Sequence, residues 1–187
     1  MKATPAWGVI PFLLISVAAC DESMSAGADY DRDVDFTAYH TFAWEEADLL
    51  PVGDPRLDGN PFFVERIQNS VSAELAARGL ERVGTGPSLL VHYHASVRDR
   101  VDVFEVDRRA GYDVSEYGPG TAVRQYDEGT LLVDVVDAET LRVIWRGWAR
   151  ADVTRFLDQP EALETLVEEA ARAMFQHFPR ETVSHEP

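Results

Sequence analysis

Residues 142–153 alternate more strictly than any other stretch of the chain, and a period of two assigns them to a β-strand. Val143, Trp145, Gly147, Ala149 and Ala151 fall on one side; Arg142, Ile144, Arg146, Trp148 and Arg150 fall on the other. A strand with one small, apolar side and one cationic side belongs to a sheet that is covered on one face only. The chain must therefore carry its own cover, and two amphipathic patterns supply it. Asn60-Pro61 is a cap followed by proline at the first helical position, and Phe63, Val64, Ile67, Val71 and Leu75 form the apolar stripe behind it. Gly79-Leu80 reads as a left-handed stop with its hydrophobic contact. The second helix starts at 158–160, carries Leu163, Leu166, Val167, Ala170, Met174 and Phe178, and is ended by Pro179.

Shorter strand patterns lie at 28–32 and 41–44, a long one at 89–103, and another at 130–136 before a turn at 137–140. The order ββαβββα predicts an α+β fold, a mostly antiparallel sheet of about five strands with two helices packed on one face. Nothing repeats along the chain. At 187 residues with 45% apolar side chains it suits one ordinary domain.

The N-terminus is read apart from that domain. Lys2, the only lysine, precedes an apolar run at 7–19 that is shorter than the ~20 residues a membrane-spanning helix needs. It fits a secretory signal peptide, residues 1–19, and Val17-Ala18-Ala19-Cys20 is similar to the bacterial lipobox. On that reading Cys20, the sole cysteine, carries lipid, residues 20–28 form a short lipidated tether, and 29–187 are the domain. The protein would then sit in the bacterial envelope, anchored to a membrane and facing the periplasm. Asp21 leaves the choice of inner or outer membrane open.

Charge narrows the partners. A net charge of -16 excludes a nucleic-acid backbone, which needs clustered cations, and a polybasic membrane surface. One cysteine excludes an internal disulfide and a thiolate metal cluster.

With these features in place, the chain resembles a bacterial family known as domain of unknown function 4136. The resemblance rests on the stretch 30–44 with its ending Tyr39-His40-Thr41-Phe42-Ala43-Trp44, and on the helix opening at Asn60-Pro61. It rests also on Pro87-Ser88-Leu89-Leu90-Val91-His92-Tyr93-His94, on the run at 128–134, and on Val143-Ile144-Trp145-Arg146-Gly147-Trp148-Ala149. It implies an envelope lipoprotein and brings no catalytic residues with it. His40 stands where the family pattern leads one to expect lysine.

No hydrolase, zinc-protease, phosphate-loop or dinucleotide signature is present in the sequence. The expectation is a non-enzymatic binding or assembly module without a cofactor. By parity His92, His94, Ser96, Arg98 and Arg100 would stand on the uncovered sheet face beside Arg142, Ile144, Arg146, Trp148 and Arg150. Arginine and tryptophan are the residue types that anchor interfaces, and forked guanidinium groups suit a carboxylate-bearing envelope protein or cell-wall polymer. The segment 105–127 reads as a long loop, and its Tyr112, Tyr117 and Tyr126 would either contact a partner or fold back over the bare face. The rival expectation is a small metal-dependent hydrolase, with His92, His94 and Asp134 as ligands of an open metal site.

Overall fold

The computed structural model describes residues 24–45, 51–105 and 121–180, with the backbone alone at 102–105 and 121–124. Cys20, the signal segment, Tyr112 and Tyr117 lie outside these residues. The elements in chain order are β1 (Ser25–Tyr30), β2 (Thr41–Trp44), α1 (Pro61–Ala76), β3 (Glu81–Arg82), β4 (Leu89–Glu105), β5 (Thr121–Asp137), β6 (Val143–Asp152) and α2 (Pro160–Phe175). A short 3₁₀ turn at Phe36–Ala38 separates β1 from β2.

All six strands make one sheet in the order β1-β6-β5-β4-β2-β3. The fold is α+β as expected, but the sheet is mixed. Strands β1, β6, β5 and β4 are antiparallel neighbours, whereas β2 runs parallel to both β4 and β3. Parallel neighbours need a crossover, and α1 is that crossover between β2 and β4. The sixth strand, β3, has two residues and is too short to show a period.

Local chemistry sets the ends of α1 where the sequence places them, whereas α2 ends at Phe175, so that Phe178 and Pro179 lie beyond it. Asn60 accepts the Phe62 N–H at 3.0 Å with Pro61 at the first position. Beyond α1, Gly79 adopts φ 75° and the Leu80 N–H returns to the Leu75 carbonyl at 3.1 Å. Both apolar stripes pack on one sheet face: Ile67, Val71, Leu75 and Met174 meet Leu89, Val91, Val133, Val135 and Trp145, all fully buried. Trp145 packs tilted against Phe175 at 4.7 Å and edge-to-face against Phe178 at 5.3 Å between ring centroids.

Three boundaries differ from the sequence reading. Residues 25–28, assigned to the tether by their Ser-Ala-Gly-Ala composition, are the first part of β1 and pair with β6 from Arg150 to Gly147. Residues 121–127, assigned to a loop, belong to β5 and pair with β4 up to Glu105 opposite Thr121. A bulge in the β5–β6 ladder accounts for the third. Val135 pairs with Trp145 and Val136 with Val143, so Ile144 has no opposite residue. The extra residue inverts parity at the start of β6. Ile144, expected on the open face, is therefore buried, and Val143, expected in the core, is 47% exposed.

Candidate functional site

Neither helix lies on the far face of the sheet, and register assembles that face in rows. One row runs His92, Asp134, Arg146, Asp29, and the next His94, Leu132, Trp148, Gly27. Ser96, Thr130, Arg150 and Ser25 follow, and then Arg98, Glu128 and Asp152. Arg100 stands opposite Tyr126, the one expected loop tyrosine within the described residues. The sequence thus placed the β4 residues, Asp134, Arg146, Trp148 and Arg150 on the right face, put Arg142 and Ile144 there wrongly, and left the rest of β5 out of account.

That middle strand changes the electrostatics. Asp134 is buried, and Arg146 grips it bidentately, Nε to Oδ1 at 2.6 Å and Nη2 to Oδ2 at 2.7 Å. The carboxylate in turn raises the Arg146 pKa above its ordinary value, chiefly through these hydrogen bonds. Arg100 donates to Glu128 at 2.8 Å, and Arg142, off the face beyond the bulge, reaches Asp31 at 3.1 Å. Three of the expected cationic anchors are thus already paired. Arg98 is exposed and its opposite residue, Glu128, gives its Oε1 to Arg100. Arg150 lies over the Trp148 ring at 5.4 Å, a cation–π contact, and has no carboxylate partner among the described residues.

Trp148 is half-buried because its indole lies on the backbone of Gly27 in the edge strand. A Cβ at Gly27 would come 2.8 Å from the ring's Cζ2. Leu132, its neighbour in the row, is also half-buried. The face thus presents an apolar centre of Leu132 and Trp148, flanked on one side by the Arg146–Asp134 fork and on the other by Arg150.

The metal constellation comes together only in part. His92 sits opposite Asp134, but both Asp134 oxygens accept from Arg146, and the His92 Nε2 lies 2.7 Å from Glu45 Oε2. Among the described residues no group of three or more His, Cys, Asp or Glu is placed to hold a metal ion. The sequence reading missed Gly27, Thr130, Leu132 and Glu45. Parity along 130–136 could have found Thr130 and Leu132. Gly27 carries no signal of its own, since its role depends on an indole more than a hundred residues away.

The chain belongs to the family described as domain of unknown function DUF4136, whose model matches residues 27–180. No curated protein matches it. Among solved structures it is similar to a PDZ domain protein from Parabacteroides distasonis, with a TM-score of 0.53 and 15% identity over 84% of this chain. The chain spans only 36% of that protein's length. It is also similar to the PelC dodecamer subunit of Paraburkholderia phytofirmans (TM-score 0.44, 10% identity, 83% of this chain and 99% of that one). A minor lipoprotein of Acinetobacter baumannii follows (TM-score 0.40, 10% identity, 74% of this chain and 91% of that one). At 15% identity the likeness to the PDZ domain protein is one of fold alone.

Proposed function

We propose that this member of the DUF4136 family is a non-catalytic envelope module, held at a membrane by lipid on Cys20 and binding a partner through its open sheet face. The observation that carries the reading is the row of Leu132 and Trp148, uncovered by either helix and flanked by Arg146 and Arg150. An apolar centre rimmed by charge is the usual anatomy of a protein interface. The partner is an envelope protein or cell-wall polymer bearing carboxylates, which Arg98 and Arg150 engage. Arg146 takes a different part: its fork holds the buried Asp134 and keeps the face in register.

The anchor and the face are tested separately. Cys20→Ser abolishes lipid labelling and releases the protein from membranes; retention of the variant in the membrane fraction contradicts the anchor. The Arg98→Glu/Arg150→Glu double variant loses a salt-sensitive co-purifying partner while its thermal melt stays within a few degrees of the parent. Unchanged capture of that partner contradicts the face.

A further inference from the structure

β4 and β5 continue as a two-stranded ribbon after the rest of the sheet has ended. β6 accompanies β5 only as far as Asp152 opposite Glu128, and β2 accompanies β4 only from Leu89 to Val91. The β4–β5 pairing runs on to Glu105 opposite Thr121. The ribbon at 99–105 is therefore about 24 Å of chain at ~3.4 Å per residue. A two-stranded ribbon alone is marginal in water, and an open edge of this length is a template for another strand.

The edge has a defined phase. The Val97 N–H donates outward to the Val52 carbonyl at 2.7 Å, so odd-numbered residues of this stretch turn their backbone groups away from β5. Pairing with β5 is continuous from Val97 to Glu105, which extends that phase to Asp99, Val101 and Val103. Among the described residues no strand lies along this edge. It carries neither lysine nor proline, two residues by which sheet proteins block such edges. Val101, at its centre, is 59% exposed.

We infer that this edge pairs with the same edge of a second copy of the chain, antiparallel about a two-fold axis at Val101. Odd residues must face odd residues across the seam, so the symmetric registers advance the axis one residue at a time. With the axis at Arg100, two arginines meet on it; with the axis at Asp102, two aspartates meet on it. With the axis at Val101, each Arg100 stands opposite Asp102 of the second copy, and two exposed valines cover each other. Charge and apolar exposure select the same register. The two sheets then join edge to edge, independently of the open face around Trp148.

The test uses the full-length chain in membranes. Val101 opposite Val101 of the second copy is a hydrogen-bonded pair with Cα atoms ~5.5 Å apart, within disulfide reach. Mild oxidation of Val101→Cys is expected to give a cross-linked dimer, and oxidation of Leu141→Cys, also exposed, to give none. Arg100→Asp in the Val101→Cys background is expected to lower the dimer yield about tenfold, the cost of like charges facing each other at two symmetric positions. Adding Asp102→Arg restores it. Equal cross-linking at 101 and 141 overturns the inference. So does a loss on Arg100→Asp that the charge swap leaves unrepaired, which would trace the loss to the Arg100–Glu128 pair.

Discussion

Two tryptophans three residues apart on β6 have opposite fates, although each lies against a glycine. Trp145 faces the helices and is fully buried, its indole wedged over Gly147 and against Phe175 and Phe178. Trp148 faces outward, lies over Gly27 of the edge strand, and carries the Arg150 guanidinium on its ring. The same residue type thus closes a core on one side of the sheet and dresses a surface on the other. What differs is the other wall: Phe175 and Phe178 against Trp145, and a single exposed cation against Trp148. A buried indole stabilises the fold; a half-buried one at the centre of an uncovered face is available to a partner.

The contrast can be broken first at Trp145. Trp145→Ala is expected to cost about 3–5 kcal/mol in denaturant unfolding, as truncation of a fully buried aromatic does. Trp148→Ala is expected to cost about 1–2 kcal/mol, because about half of that burial is forgone already. Equal losses at the two sites would mean that the open face is a second core.

The glycines sharpen the comparison. A Cβ at Gly147 would stand 2.2 Å from the Trp145 ring, which is locked among aromatics, so Gly147→Ala is expected to cost about 1–3 kcal/mol. Gly27→Ala brings a milder clash with a ring free to shift outward, and its loss should be under ~1 kcal/mol. Thermal melts of the two variants side by side check the order.

Another small effect, dependent on pH, lies at the end of the sheet near the β5–β6 turn. The Tyr39 hydroxyl donates to Asp137 Oδ2 at 2.6 Å, and this bond, helped by turn N–H groups, lowers the Asp137 pKa to about 2. Burial, aided by the Asp137 bond, raises Tyr39 to about 12. Asp137 titrates lower in the folded state than its ordinary 3.8, so its contribution is complete above about pH 4 and is lost as pH falls toward 2. Tyr39 titrates higher when folded, so its contribution holds below its ordinary 10 and is lost as pH rises toward 12. Tyr39→Phe should cost about 1 kcal/mol at neutral pH and flatten the acid limb between pH 4 and 2. Melting curves across that range check it.

Much of this was legible in the sequence. The caps at Asn60 and Gly79 and the two apolar stripes rest on neighbours within a turn or two, so local pattern reveals them. The alternation at 142–153 separated Trp145 from Trp148. The bulge that inverts Ile144 was hidden, because it depends on how β5 and β6 pair. β1 was hidden for a similar reason: its small residues read as linker until the Trp148 indole needs Gly27 beneath it. On the open face, the arginines were visible and most of their carboxylates were not. From the sequence Asp134 reads as a metal ligand; cross-strand register gives it to Arg146.

The claim that the open face docks a partner is tested most directly by photo-cross-linking in cells from position 148, with exposed Leu141 as the comparison site. A discrete adduct from 148 and none from 141 is the result the account predicts. Adducts of the same identity and yield from both positions, or none from 148 in a folded protein, would contradict it.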